Sequence, residues 1–164
     1  MAIFTLSAFV VVTVLSSMTL VSQGAEIGLC QGPCPEGWIY KNGRCFQHIA
    51  DKKTWLDAEI HCVSLGGNLA SEHSEDDHEF LKKLNNNDDP FWIGLSDIHK
   101  EGTWLWSDGT SASSEWDFLK WNPGEPNNSG EENCVHTNYG GQKDWNDTGC
   151  NGMFQSICAL RLNE

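Results

Sequence analysis

The first half of the chain contains a segment whose apolar residues recur with helical spacing. Thr54 can cap its N-terminus, and Gly66-Gly67 can end it. The apolar positions that fall on one stripe are Trp55, Leu56, Ile60 and Val63. An amphipathic helix buries such a stripe against the core, so we expect these four side chains to be buried.

A second helix is predicted immediately afterwards. Ser74 can cap it, and the acidic side chains of the first turn, Glu75, Asp76 and Asp77, suit the positive end of the helix dipole. We expect a buried side formed by Phe80, Leu81 and Leu84. The acidic run from 72 to 79 is therefore interpreted as helix-end chemistry rather than as a ligand site.

The second half of the chain has strand patterns and one long irregular stretch. Residues 91–95 form a continuous apolar run after Pro90, which predicts a buried central strand. Shorter strands are predicted at residues 134–138, 143–145 and 154–160. Residues 107–133 show no periodicity, and a loop of this length in a compact domain is usually functional or disordered.

The chain begins with an apolar segment that has the pattern of a secretory signal peptide. Residues 3–21 are apolar or small and uncharged, and small residues precede Ala25. The alternative is a membrane anchor, but no Lys or Arg flanks the segment. We expect a signal peptide at residues 1–24, a single mature domain at 25–164, secretion, and no membrane insertion.

Charge and cysteine content narrow the class further. The chain has 23 Asp and Glu against 10 Lys and Arg, a formal net charge of −13, which excludes nucleic acid as a partner. Seven Cys and eight Trp among 164 residues indicate an oxidised, secreted fold with a small core.

The cysteine spacing leaves the connectivity open. Asn42-Gly43 predicts a hairpin turn that could bring Cys34 and Cys45 together. Cys30 makes the number of cysteines odd. It can form an intermolecular bridge, be capped by a small molecule, or pair with a neighbouring cysteine.

Oxygen donors concentrate around the last third of the chain. The candidate ligands are Glu125, Asn127, Glu132, Asn146 and Asp147, and the main-chain carbonyl of Asp147 can add another. Residues 125–147 contain five acids and one Lys, so the local charge is −4. Carboxylate and amide oxygens at this density suit Ca²⁺. The alternative is a solvated polar loop.

These residues, together with six of the cysteines, the Trp92-Ile93-Gly94-Leu95 run and the Glu-Pro-Asn and Trp-Asn-Asp triplets, resemble the long form of the C-type lectin domain over residues 30–162. The resemblance implies an α+β fold with two helices, small antiparallel sheets and a long calcium-binding loop. It implies three disulfides, Cys34–Cys45, Cys62–Cys158 and Cys134–Cys150.

The resemblance also implies a function. Glu125, Asn127, Glu132, Asn146 and Asp147 would hold a Ca²⁺ that binds vicinal equatorial hydroxyls of mannose-type sugars, with Pro126 in a cis peptide. Because a single sugar engages few atoms, we expect avidity from an assembly such as a Cys30-linked homodimer. In relatives with an auxiliary Ca²⁺, acids stand at positions matching Asp97, Glu101, Asn128, Glu132 and Asn133. Two of those positions hold Asn here, which leaves a second ion open.

Two further expectations concern modification and rival functions. The sequons at Asn127 and Asn146 should stay unmodified, since a glycan would consume a ligand amide. The layout resembles secreted fish lectins and type II antifreeze proteins, so ice binding is the alternative function. The chain is not expected to be an enzyme: its six His lack the His-Glu-x-x-His spacing and are predicted to be mostly surface or capping residues.

Overall fold

A computed structural model of the chain describes residues 33–112 and 118–162. The predicted signal peptide, residues 1–24, and Cys30 lie outside the described residues, so both stay predictions. Within the two described ranges, no helix has the length and apolar character needed to cross a membrane.

Two helices and eight strands make up the regular structure of the described residues. In chain order they are β1 (Ile39–Lys41), β2 (Arg44–Lys53), α1 (Trp55–Ser64), β3 (Asn68–Leu69), α2 (Glu75–Asn85), β4 (Phe91–Ser96), β5 (Leu105–Trp106), β6 (Cys134–Tyr139), β7 (Asp144–Thr148) and β8 (Phe154–Arg161). Both helices and the four strands predicted for the second half of the chain are present. The class is α+β, as expected.

The strands join in one sheet, in the order β1-β2-β8-β4-β6-β7, with β3 also on β8 and β5 also on β4. Small antiparallel sheets were expected, and β8 pairs antiparallel with β2 but parallel with β4, so that the strands form one mixed sheet. All six residues of β4 are buried. The prediction of a buried central strand at 91–95 is therefore confirmed.

Three disulfides join distant parts of the described chain. They are Cys34–Cys45, Cys62–Cys158 and Cys134–Cys150, the pairs that the resemblance implies. The first closes the β1–β2 hairpin, where Asn42 and Gly43 both have positive φ, as a tight two-residue turn requires.

Helix α1 begins where its sequence predicts but buries a different face. The Thr54 side chain accepts a hydrogen bond from the Asp57 N–H at 3.2 Å. The prediction that this stripe is buried is wrong for three of its four residues, because Leu56, Ile60 and Val63 are 60%, 57% and 54% exposed.

The buried face of α1 is formed instead by Trp55, Ala58 and Cys62. Cys62 is bonded to Cys158 in β8, and the Trp55 indole donates a hydrogen bond to the Ile93 carbonyl at 2.9 Å. These two attachments rotate the helix so that its second apolar stripe faces solvent.

Helix α2 agrees with its sequence pattern. The Ser74 hydroxyl accepts a hydrogen bond from the Asp77 N–H at 3.1 Å, and Leu81 is fully buried. Phe80 and Leu84 are partly buried against the core. Glu72, which was included in the predicted helix-end run, lies before the helix and is fully buried, so that interpretation is wrong for this residue.

The core consists of two clusters that meet at β4. One lies between α2 and the sheet and includes Leu81, Phe91, Ile93 and Trp145. The other, called the cystine core here, contains Trp55, Ala58, Cys62, Leu69, Trp92, Cys134 and Cys158. Strands β6 and β7 extend from this packed interior to the long irregular loop.

Candidate functional site

Strand β7 and the middle of the long irregular loop, residues 107–133, are joined through Trp145. Its N–H donates to the Lys120 carbonyl at 2.8 Å, and its carbonyl accepts from the Asn122 N–H at 2.8 Å. Trp121 and Trp145 form an isolated parallel bridge. The loop that follows residue 122 therefore starts beside the strand that carries Asn146 and Asp147.

A turn then brings two of the predicted ligands together. The Glu125 N–H donates to the Asn122 carbonyl at 3.0 Å, and the Glu125–Pro126 peptide bond is cis, as the resemblance implies. The Asn127 side-chain amide donates a short hydrogen bond to the Glu125 carboxylate. These two side chains lie in contact across Pro126.

Asp147 ties this turn to β7. It is fully buried, its Oδ1 accepts from the Asn127 N–H at 3.1 Å, and its Oδ2 accepts from the Asn128 N–H at 2.8 Å. Each carboxylate oxygen has a second lone pair left for another partner. Asp147 is thus both an anchor of the loop and a candidate ligand.

The two remaining predicted ligands join the same network. The Ser129 N–H donates to Asn127 Oδ1 at 2.8 Å and to Glu132 Oε2 at 3.0 Å. The Asn146 side-chain N–H₂ donates to the Asp147 carbonyl at 2.6 Å and lies 3.1 Å from His136 Nε2. The Asn146 Oδ1 is therefore the atom left to act as a ligand.

Four of the five predicted ligands line one cleft of about 300 Å³. Its walls are Pro90, Glu125, Asn127, Ser129, Glu132, His136, Tyr139, Asn146, Thr148 and Phe154. Asp147 lies buried next to this wall. The described residues contain no cluster of three or more His, Cys, Asp and Glu that could hold a metal, so an ion here depends on the amide oxygens as well.

The carboxylates of the cleft lack a compensating cation. The pKa of Glu125 is raised by partial burial, and further by the hydrogen bond to Asp147 and the charges of Asp147 and Glu132. Within the described ranges, none of the ion pairs includes these three acids. A hard cation with oxygen ligands fits this donor set.

The cleft contains an aromatic wall that the sequence analysis missed. His136 is buried and stacks on Phe154 with ring centroids 4.8 Å apart, and Tyr139 is 46% exposed at the rim. Burial lowers the pKa of His136 to about 4, so the ring is neutral at pH 7. The expectation of a surface or capping role is wrong for His136, and also for His78, which is fully buried.

The residues matched to an auxiliary ion are only partly free to bind one. Asp97 Oδ2 accepts from the Gly102 N–H at 2.8 Å, and Asn128 Oδ1 accepts from the Glu132 N–H at 2.8 Å. Asp97 Oδ1 is buried and has no hydrogen-bond partner among the described residues. A second ion stays open.

Comparison with known proteins gives one consistent family. Residues 51–160 match the Lectin C-type domain family. The chain is 64% identical, over the full length of both, to a protein from Anguilla japonica named lactose-binding lectin l-2. It is 41% identical to a C-type lectin mannose-binding isoform from Notechis scutatus scutatus, over 79% of this chain and 84% of the relative.

Solved structures agree with the sequence comparison. The herring type II antifreeze protein superposes with a TM-score of 0.74 at 39% identity, covering 79% of this chain and all of the other. The fold of this chain is therefore shared with proteins that are named for quite different ligands.

Proposed function

The chain belongs to the C-type lectin domain family, and we propose that it is a secreted, calcium-dependent lectin for mannose-type sugars, which acts by binding carbohydrate rather than by catalysis. The ligands of the ion would be Glu125, Asn127, Glu132, Asn146 and Asp147. The observation that carries this proposal is the contact between the Glu125–Asn127 turn and Asp147 beside carboxylates that no cation compensates.

The chemistry follows from the donors and acceptors of the cleft. A bound Ca²⁺ would accept one lone pair from each of two neighbouring sugar hydroxyls. The Glu125 carboxylate can accept a hydroxyl hydrogen, and the Asn127 amide can donate to a remaining lone pair. These two side chains bond to each other, so a sugar must replace that hydrogen bond.

The choice of sugar is the finer part of the proposal. In the family, the order Glu-Pro-Asn goes with equatorial 3- and 4-hydroxyls, as in mannose, and the same order stands at residues 125–127. The snake relative named mannose-binding supports this choice, whereas the eel relative is named lactose-binding. Direct competition between the two sugars is therefore the decisive measurement.

The test is retention on a mannose resin with a few millimolar Ca²⁺. We expect elution by a chelator, and by free mannose at lower concentration than by lactose. The double variant Glu125→Gln/Asn127→Asp should reverse the order of the two sugars, while Glu131→Gln, a neighbouring acid outside the ligand set, should not. Retention that a chelator leaves intact would refute the calcium requirement, and earlier elution by lactose would refute the mannose assignment.

Secretion and assembly complete the proposal. Residues 1–24 would be removed as a signal peptide to leave a domain that starts at Ala25, and a Cys30–Cys30 bridge would join two weak sugar sites. Mass spectrometry of the protein released by cells that express the full chain tests the first point, since its N-terminal residue should be Ala25.

Ice binding is the second candidate, because the herring type II antifreeze protein shares the fold at 39% identity. It predicts a gap between melting and freezing points, and faceted ice crystals, at millimolar protein. The intact ligand set favours sugar. Thermal hysteresis combined with no retention on any sugar resin would reverse that preference.

A further inference from the structure

A buried cluster of ionisable side chains lies against the strand that carries two candidate ligands. Glu72 and His78 are fully buried, and Asp144 of β7 is nearly so. His78 Nδ1 is hydrogen-bonded to Glu72 Oε2 at 2.8 Å, whereas His78 Nε2 lies 3.3 Å from Asp144 Oδ1 without the geometry of a hydrogen bond. The imidazole thus stands between two carboxylates from different parts of the fold.

The same Glu72 oxygen holds Trp145. The indole Nε1–H donates to Glu72 Oε2 at 2.7 Å, and the indole nitrogen can only donate. Trp145 is also the residue whose backbone bonds to Lys120 and Asn122, just before the Glu125 turn, and Asn146 and Asp147 follow it directly. The Glu72 carboxylate therefore binds Trp145, the residue that joins the loop before Glu125 to strand β7.

The neighbours of His78 favour its protonated form. Burial lowers the pKa of His78, but the hydrogen bond to Glu72 and its charge, with that of Asp144, outweigh burial and the opposing charge of Lys82, so the pKa lies above its ordinary value. Glu72 Oε1 is buried without a hydrogen-bond partner in the described part of the chain. A buried carboxyl group with an unsatisfied oxygen is a poor source of stability.

We propose that Glu72 and His78 are positioning residues, which fix Trp145 and Asp144 and so hold β7 and the residue 120–128 turn in the alignment that the ligands need. The inference rests on the proposed function for its consequence, the calcium affinity. Its structural content, the local order of two segments, can be measured without any ion.

A purely structural role makes a different prediction. If the pair only stabilised the fold, its removal would weaken all of the sheet together. If it positions the site, removal loosens β7 and the turn while the β2–β8 pairing stays protected, because that pairing lies on the other side of β4 in the strand order.

The first experiment measures amide hydrogen exchange in the metal-free protein. Glu72→Leu removes both bonds, Glu72→Gln keeps an oxygen for the Trp145 indole, and Glu79→Gln removes an exposed α2 acid paired with Lys82 as a matched control. We expect Glu72→Leu to speed exchange about tenfold at the amides that bond across the two segments. These are the amides of Asn122, Asn127, Asn128 and Trp145. Glu72→Gln should restore most of the protection.

A second variant approaches the same bond from its other end. Trp145→Phe keeps an aromatic ring and loses the indole donor, so it should loosen the same amides. The double variant Glu72→Leu/Trp145→Phe should loosen these amides little more than either single change, because each single change already removes the same Glu72–Trp145 hydrogen bond. Additive effects would contradict a shared bond.

Calcium titration then tests the consequence. Glu72→Leu should raise the calcium concentration needed for sugar binding about tenfold, with sugar affinity at saturating calcium nearly unchanged. Unchanged exchange in Glu72→Leu, or equal acceleration in β2 and β8, would overturn the positioning role. A wild-type protein that binds no calcium would refute the proposed function instead, and the exchange pattern would still decide the role of Glu72 and His78.

Discussion

The cystine core and the candidate site use opposite means to fix a backbone. In the cystine core, seven apolar or cystine side chains are nearly or fully buried, and the Trp92 indole finds a main-chain acceptor, the Lys53 carbonyl, at 2.9 Å. In the candidate site, buried Asp147 accepts two backbone N–H groups of an exposed turn. One region is held by apolar packing and covalent links, and the other by charge and hydrogen bonds.

This difference separates stability from function. Apolar burial and disulfides are indifferent to pH and to calcium, whereas carboxylates in contact respond to both. Changes in the cystine core away from Cys134, which begins strand β6 beside the site, should therefore alter the free energy of unfolding and leave sugar affinity intact. Changes in the candidate site should alter sugar affinity, and their effect on the free energy of unfolding should depend on pH and calcium.

The largest expected effect is removal of the Cys62–Cys158 bond. The two residues are 96 positions apart, and the loop-entropy relation assigns such a link on the order of 4 to 5 kcal/mol. Cys62→Ala/Cys158→Ala should lower the unfolding free energy by that order in denaturant titration, with mannose affinity of the folded fraction unchanged. Cys134→Ala/Cys150→Ala, which frees the strands beside the site, should reduce sugar affinity as well. Equal sugar affinity in the two disulfide variants would contradict the proposed difference between the two regions.

Acid should weaken the candidate site through His136. Its pKa in the folded protein is about 4, below the ordinary value of 6.5, so its contribution to stability is present above pH 6.5 and is lost as pH falls towards 4. The separation corresponds to about 3 kcal/mol. His136→Gln, which keeps an acceptor near Asn146, should flatten stability between these pH values. An NMR titration of the wild-type ring with a midpoint near 6.5 would contradict the assignment.

Calcium should add a smaller stabilisation. At a few millimolar Ca²⁺ and a Kd near 0.1 mM, linkage gives roughly 2 kcal/mol at neutral pH. Bound calcium would lower the carboxyl pKa values, so this contribution is lost as pH falls and the acids are protonated. A melting temperature indifferent to calcium at pH 7.5 would argue against the site.

Glu125 gives a sharper test of the calcium site. Its carboxylate should stabilise the protein when the ion is bound and destabilise it at neutral pH when the ion is removed. In the metal-free protein its pKa is raised, so its contribution to stability is present at low pH and is lost as pH rises through that pKa. Glu125→Gln should therefore raise the melting temperature of the chelated protein at pH 7.5 and abolish the calcium-induced rise. A lower melting temperature in chelator would contradict this account.

The smallest effect on the folded domain is expected for Cys30. Cys30→Ser should convert a dimer to a monomer on non-reducing gels and weaken retention on a dense mannose surface, while monosaccharide affinity stays the same. A wild-type protein that already migrates as a monomer without reductant would show that no such bridge exists.

Local sequence was sufficient for some features and insufficient for others. The Thr54 and Ser74 caps were predictable because each cap bond spans three residues. The face of α1 was not, since two apolar stripes compete on one helix and a disulfide and a distant carbonyl decide between them. For such elements the deciding contacts are far away in sequence.

The candidate site shows the same limit. Its candidate ligands were predicted from the density of oxygen donors and from a resemblance to a family motif, and the cleft brings four of them together. The role of Glu72 was hidden, because an acid next to three helix-start acids has the same local pattern whether it faces solvent or a buried indole. Only the fold shows which neighbour it meets.

The order of strands also bears on how the protein is made. The strand β2 near the start of the fold pairs along its length with β8, which ends at residue 161. During synthesis the edge of β2 that faces β8 has no partner until residues 154–161 have left the ribosome. The β1–β2 hairpin and its Cys34–Cys45 bond can form early, whereas Cys62 must wait for Cys158. We therefore expect the nascent protein to depend on an oxidising environment and on chaperones for most of its synthesis.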